Sequence, residues 1–225
     1  MDVVTAVPQL MLPVVSASIL GKAQEKRVIE IRVHDLRDHA HDRHKLIDDT
    51  PYGGGSGMVL KPEPIFECIE GLLAERQYDD VIFLCPEGDV FDQREANALS
   101  MKKNLIILCG HYKGVDERVR LKLVTREYSL GPFVMTGGEI AALAMIDAIV
   151  RLIPGAVNDA ESLLMDSFQD GMIGPPEYTR PENFRGMRVP EVLMSGNHHN
   201  VKKWRDAERM RRTEEYRARQ LNKKL

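Results

Sequence analysis

Residues 80–88 read DVIFLCPEG, residues 105–118 LIILCGHYKGVDER and residues 121–139 LKLVTREYSLGPFVMTGGE. Each opens on a short apolar, β-prone run and then breaks into glycine or proline, the form of a buried strand that ends in a loop. The strand candidates are Val3–Val7, Val28–Val33, Asp80–Leu84, Leu105–Cys109 and Leu121–Tyr128. Helical spacing lies between them. Pro62–Arg76 sets Ile65, Ile69 and Leu72 on one face, and a second helix opens at Asp92, an N-cap with Glu95 three residues on. A third, Glu139–Ile153, closes at Pro154-Gly155. Strands alternating with helices predict an α/β domain with a mainly parallel sheet.

Ligands of open α/β sheets bind at the carboxyl ends of strands. A single glycine-rich strand end is ordinarily a tight turn. Three at equivalent places point to a shared small-molecule pocket, since glycine lets backbone amides and carbonyls approach a ligand. Such an apolar, backbone-lined pocket suits adenosine joined to a small zwitterion. Ordinary nucleotide motifs are weak: PYGGGSGM (51–58) resembles a phosphate cradle but lacks the Lys-Ser/Thr ending of a P-loop, and no GxGxxG opens the first unit.

The chain has 225 residues with 31 basic and 34 acidic side chains, a net charge of −3 that argues against wholesale coating of nucleic acid or anionic membrane. The average hides a split. From His198 to Leu225 ten Lys and Arg face four Asp and Glu, which puts +6 there and leaves −9 on the first 197 residues. Such a basic segment is either a solvated helix or a surface that meets phosphate. Val201, Trp204, Ala207 and Met210 recur at three-residue spacing in it, with Trp204 as packing anchor.

Cys68, Cys85 and Cys109 are odd in number and form no CxxC pair, as expected of reduced thiols in a cytoplasmic protein. Pro8 and Pro13 interrupt the first apolar runs and no basic leader precedes them, so no signal peptide is expected. Ile140–Val150 is apolar except for Asp147, but eleven residues cannot span a membrane, and the stretch reads as a fully buried helix. HAHDRH (39–44) offers His39, His41, Asp42 and His44, yet matches no usual zinc spacing, so no metal site is assigned. Asp166 lies in MDSF (165–168) within the turn-rich stretch after the third helix, where a carboxylate is ordinarily only solvated. Arg151 near the helix end has the matching plain reading of a terminal ion pair.

HDRH…DDTPYGGGSGM (41–58), CGHYKGVDER (109–118), YSLGPFVMTGGE (128–139), RLIPG (151–155), MDSF (165–168), YTRPE (178–182) and LMSGNH (193–198) occur in this order. Together they closely resemble the bacterial tRNA (guanine-N1)-methyltransferases of TrmD type, over nearly the whole chain and less closely after Trp204. The resemblance implies the trefoil-knotted α/β fold of the SPOUT superfamily, an exception to the rule against knots. It implies three segments: a knotted catalytic domain over 1–157, a linker over 158–181 that carries the general base, and a small helical basic tRNA-binding domain over 182–225. It also implies a cytoplasmic homodimer with its active site at the subunit interface. S-adenosylmethionine is the methyl donor, and N1 of guanine 37 in the tRNA anticodon stem-loop, next to the anticodon, is the acceptor.

Carried over by motif, the cofactor pocket comprises Leu84, Pro86, Gly110, Tyr112, Leu130, Gly131, Pro132, Phe133, Val134, Met135, Gly137 and Gly138. The general base falls on Asp166 and the catalytic arginine on Arg151, while His44, Asp48 and Ser167 match positions that shape the site. Four positions depart from the family pattern: His111 and Lys113 within CGHYKG, Ala141 after GGEI, and Ser56 in the glycine loop. Lys113 replaces a glutamate that the resemblance associates with the cofactor's charged end and with magnesium, so a magnesium requirement is in question here. Two other classes fit parts of the pattern: a ribose 2′-hydroxyl methyltransferase of the same superfamily, and a non-catalytic RNA-binding module. The base-directed Asp166 and Arg151 argue against both.

Overall fold

The computed structural model describes residues 1–157 and 165–222. The first seven residues expected in the linker, 158–164, and Lys223, Lys224 and Leu225 of the basic segment lie outside the described residues. The chain divides into two compact units, Met1–Asn158 and Asp159–Leu225.

The larger unit is built on five parallel strands in the order β2-β1-β6-β5-β7. These are β1 (Asp2–Thr5), β2 (Arg32–Asp35), β5 (Asp80–Val90), β6 (Leu105–Cys109) and β7 (Arg126–Ser129). β1 and β6 are buried at every residue, as their unbroken apolar runs require of central parallel strands covered on both faces. The two-residue period of the strands sorts their side chains into two cores. Val3, Ile82, Leu84, Ile107 and Cys109 pack on one face, beneath α1 (Pro8–Val15), α2 (Ser18–Glu25), α4 (Gln93–Ser100) and α6 (Glu139–Val150). Val4, Val81, Phe83, Ile106 and Leu108 pack on the other, beneath α3 (Pro62–Glu75) and α5 (Glu117–Lys122). A short antiparallel pair, β3 (Asp48–Asp49) with β4 (Val59–Leu60), carries the glycine-rich loop at its tip.

Several boundaries differ from the sequence reading for identifiable reasons. Leu121–Tyr128 is not one strand, because Asp116 caps α5 by accepting from the Arg118 amide (2.9 Å), and an N-cap outweighs the β tendency of the run behind it. Only Arg126–Ser129 is left to pair. At the N-terminus Pro8 starts α1 rather than breaking it, at a position where a missing N–H is harmless. Strand β2 begins at Arg32, since Val28 is still tied back to α2 through Ala23 (2.9 Å). Helix α6 stops at Val150 and is not buried all round: Ile140, Ala144 and Asp147 form a stripe that reaches the surface.

In the smaller unit, a β8 (Asn183–Phe184) and β9 (Met187–Arg188) hairpin precedes the short α7 (Glu191–Met194) and the 25-residue α8 (His198–Asn222). Residues 165–174 pack on α8. Arg209 donates to both Asp170 oxygens (2.8 Å each), the Ile173 amide donates to Thr213 Oγ1 (2.9 Å), and Arg212 donates to the Gly174 carbonyl (2.9 Å). Trp204 lies half-buried beside Tyr178. Ala207 and Met210 are exposed, and the buried positions of α8 are Arg209 and Thr213. Helix geometry explains the difference. Three-residue steps at about 100° per residue drift steadily, and nine residues place Met210 on the side opposite Val201.

Candidate active site

Three loops at the carboxyl ends of β5, β6 and β7 enclose a cavity of about 300 Å³, at the lower end of the range for small-molecule sites. The first loop is a bulge within β5: Leu84 and Asp89 both stand opposite Tyr128, so residues 85–88 are extruded from the ladder. The second and third loops are stitched together. The Gly138 amide donates to the Gly110 carbonyl (2.7 Å), and His111 bridges Gly137. A Cβ on Gly138 would stand 3.0 Å from Cys109 Cα and 3.1 Å from the Gly110 nitrogen, so this approach requires glycine. The third loop is closed on itself by Ser129, whose Oγ donates to the Gly131 carbonyl (2.9 Å). Tyr112 takes the left-handed conformation at φ 58°, unusual for an aromatic residue, with its ring edge-on to His111 at 4.8 Å.

Leu84, Pro86, Gly110, Tyr112, Leu130, Gly131, Phe133, Val134, Met135, Gly137 and Gly138 line this cavity together. Pro132, in the same loop, does not. Cys85, Glu87 and Arg120, absent from the motif-based set, also line it, as do His111, Lys113 and Ala141, three of the positions that depart from the family pattern. All but Arg120 and Ala141 sit in the same strand-end loops, so loop membership was the signal available for them. Arg120 projects from α5, an element the sequence reading had merged into a strand.

Three charged groups of the wall and its border, Arg120, Glu87 and Glu127, pair with one another. Arg120 donates to Glu127 through Nε (2.9 Å) and Nη2 (2.7 Å), and to Glu87 (2.9 Å). These bonds hold Glu127 below the usual carboxylate range, and burial pushes the Cys85 thiol up to about 11. Beneath the pocket, the buried Glu139 accepts from Thr5 Oγ1 (2.7 Å) and stands 3.6 Å from His111 Nδ1. What remains for a ligand is largely backbone, aromatic edge and paired charge, with Lys113 as the exception, a lining suited to a nucleoside.

Arg151, Asp48 and His44, of the larger unit, are not among the lining residues. Arg151 is the half-buried C-cap of α6. Asp48 sits in β3, and His44 lies in a loop whose turn Asp42 closes by accepting from the His44 and Leu46 amides (2.9 Å each). His39 and His41 both turn to Glu67, at 3.4 and 2.6 Å. Among the described residues, no group of three or more His, Cys, Asp or Glu is placed to hold a metal ion. In the smaller unit Asp166 is half-buried, and Ser167 Oγ accepts from the Gly174 amide (2.9 Å). Among the described residues, no helix is long and apolar enough to cross a membrane.

The model of the tRNA (Guanine-1)-methyltransferase TrmD family matches residues 1–223. The chain belongs to this family. The match includes the part of α8 beyond Trp204, where the motifs resemble the family less closely. Proteins named tRNA (guanine-N(1)-)-methyltransferase are similar to it along their lengths. That of Chlorobium chlorochromatii is 52% identical over 212 residues, 94% of this chain and 92% of its own. That of Porphyromonas gingivalis is 50% identical over 216 residues, 96% of each chain. That of Chlorobaculum tepidum is 50% identical over 222 residues, 99% of this chain and 96% of its own.

Proposed function

We propose that this chain is a cytoplasmic tRNA (guanine-N1)-methyltransferase. It uses S-adenosylmethionine as donor and forms 1-methylguanosine at position 37 of the anticodon stem-loop. The observation that carries the reading is the convergence of three glycine-bearing strand ends on one nucleoside-sized cavity, in a chain matched to this family from residue 1 to 223. The trefoil knot and the homodimer, with its active site at the subunit interface, belong to the same proposal.

The residues fit the donor. Leu84, Leu130 and Met135 offer apolar contact for a purine, while Gly110, Gly137 and Gly138 let peptide groups reach ring nitrogens and ribose hydroxyls. When bound, S-adenosylmethionine supplies an electrophilic methyl group. Guanine N1 carries a proton at neutral pH and has no free lone pair to attack with. Asp166 accepts that proton, which requires its carboxylate within hydrogen-bond reach of N1, about 2.6–3.2 Å. The negative charge that develops spreads to O6, where the Arg151 guanidinium stabilises it. A donor held by these residues would give its methyl carbon to N1 and keep the electron pair of the broken carbon–sulfur bond in the departing thioether. The target base must leave the stacked anticodon loop to reach this geometry, and Ser167, Asp48 and His44 shape the space that receives it.

The test is methyl transfer from labelled cofactor to tRNA carrying guanine or adenine at position 37, with the methyl group mapped on the product. Transfer to N1 of guanine 37 alone is expected, and a methyl on ribose would overturn the reading. Asp166→Asn should bind cofactor normally yet turn over about 10²- to 10⁴-fold more slowly, the usual share of a general base. Near-normal turnover removes Asp166 from that role.

A further inference from the structure

The segment PYGGGSGM (51–58) has the glycines of a phosphate cradle but no lysine of its own. The fold brings one from elsewhere. Gly53, Gly54, Gly55 and Gly57 all adopt positive φ, between 82° and 106°. The loop they form is pinned to the second cavity loop by three backbone bonds of 3.0 Å: Lys113 N–H to the Met58 carbonyl, Leu60 N–H to Gly114, and Asp116 N–H to Leu60. The Lys113 side chain then runs along the glycines. A Cβ on Gly57 would stand 3.2–3.3 Å from Cγ, Cδ and Cε of Lys113, and one on Gly55 would stand 3.5 Å from Nζ. The bare glycines thus form a trough for the lysine stem and leave its ammonium at the apex of the loop.

That ammonium makes no ion pair among the described residues. Asp116, the nearest acid along the chain, is held by Arg118 through both oxygens (2.8 Å each). The Gly54 amide bonds the Pro51 carbonyl (3.2 Å), while the amides of Gly55, Ser56 and Gly57 have no partner among the described residues. Successive amides on a loop with left-handed residues, beside a cation, make an anion-binding concavity. The loop is exposed from Tyr52 to Gly57, so it meets a ligand arriving from solvent rather than one enclosed in the cavity. Lys113 nevertheless also lines the cavity, which puts the concavity at its rim.

We propose that the glycine loop and Lys113 form a phosphate site that holds the RNA backbone at the rim of the cofactor cavity. The proposal rests on the RNA-methylating reading above, because that reading supplies a polyphosphate substrate at this rim. Lys113 is a positioning residue: it fixes the strand beside the reacting nucleotide and takes no part in moving protons.

The experiment uses the full chain and its Lys113→Ala, Lys113→Glu and Lys113→Arg variants. tRNA affinity is measured across a salt series, and S-adenosylmethionine affinity is measured without RNA. Lys113→Ala should weaken tRNA binding about tenfold at low salt, the low end for a charge-assisted hydrogen bond. It should also reduce the slope of log K against log salt by about 0.7, one phosphate contact on a single strand. Lys113→Glu should weaken binding further, Lys113→Arg should restore most of it, and cofactor affinity should change less than tRNA affinity in every variant. Wild-type tRNA affinity and slope in both Ala and Glu variants overturn the proposal. So does a loss confined to cofactor affinity, which would assign the ammonium to the cofactor's carboxylate. Wild-type protein that binds tRNA without methylating it would refute the functional reading while leaving this site standing.

Discussion

Two glycine-to-alanine substitutions should act in opposite directions, and the structure sets both signs. Gly138 has φ −80° and ψ −9°, a conformation open to any residue, so the objection to a side chain is one of space alone. Its Cβ would meet Cys109 Cα at 3.0 Å, the Gly110 nitrogen at 3.1 Å and the Cys109 carbonyl carbon at 3.4 Å. All three are backbone atoms at the end of a central strand that cannot yield as a side chain does. Since carbon atoms rest at about 3.5–4.0 Å, the third cavity loop must retreat by a few tenths of an ångström, loosening the 2.7 Å bond from Gly138 to Gly110. Overpacking of this kind costs about 1–3 kcal/mol. The displaced loop forms one wall of the cavity, so cofactor affinity should fall about tenfold for each 1.4 kcal/mol not recovered on binding. Gly71 is the control. It lies within α3 on the exposed side with nothing within 4 Å of a built Cβ. Alanine there should stabilise by about 0.5–1 kcal/mol by restricting the unfolded chain. Calorimetric melting should move by about 2–4 °C per kcal/mol, down for Gly138→Ala and up for Gly71→Ala. Titration with S-adenosylmethionine should change only for Gly138→Ala. A Gly138→Ala protein that melts and binds like wild type would refute the claim that contact between the loops shapes the cavity.

Three further outcomes are expected. Buried Asp2 accepts from Tyr78 Oη and His34 Nε2, both at 2.8 Å. Burial pushes its carboxyl up, but these bonds outweigh it and hold it below the usual range. Its stabilisation is therefore complete above the unfolded value of about 3.9 and is lost as pH falls through the lower native value. Asp2→Asn should destabilise by about 1–3 kcal/mol at pH 7 and flatten the acid limb of the stability profile; an unchanged acid limb in urea titrations would refute this. Burial raises the thiols of Cys68 to about 12 and Cys85 to about 11, and that of Cys109 well above its ordinary value. All three should resist iodoacetamide at pH 8 in the native protein and react in denaturant, and rapid native labelling of Cys85 would contradict its buried setting. Replacing exposed Lys202 and Lys203 of α8 together with glutamine should weaken tRNA binding and lower its salt slope; an unchanged slope would show that this end of the helix does not meet phosphate.

The sequence disclosed most where one physical requirement dominated. LIILC (105–109) can only be a strand buried on both faces, and β6 has those bounds. It disclosed less where two requirements competed. In DERVRLKLVTREYS (116–129) a cap at Asp116 and a β-prone run overlap, and the cap takes the first half for α5. The glycines at three strand ends did indicate a cavity, because their reason for being there is close approach of backbone. Arg120 was not legible as a wall residue, since its place depends on α5, nor was the pairing of Lys113 with a loop some sixty residues earlier in the chain. Contacts between distant segments leave no periodic trace.

For a phosphate partner, charge counts locally rather than over the whole chain. A whole-chain value of −3 describes the far field, whereas RNA at about 10 Å or less responds to local charge. Near the cavity, Arg120 is neutralised by Glu87 and Glu127, and Arg118 by Asp116. Among the described residues, Lys113 is left without an ion pair, beside amides of the glycine loop that have no partner. Along α8, Arg209 and Arg211 are paired with Asp170, Glu208 and Glu215, while Lys202 and Lys203 have no ion pair among the described residues. Lys113 in one unit and Lys202 with Lys203 in the other are thus cations open to phosphate at particular points of each unit. Specific binding of one RNA needs positioned contacts more than a strong field, because phosphate contacts fix register while the base contacts choose the nucleotide. An enzyme that must present one guanine N1 to one methyl group gains from that economy. A uniformly basic surface would bind tRNA in many registers, few of them productive.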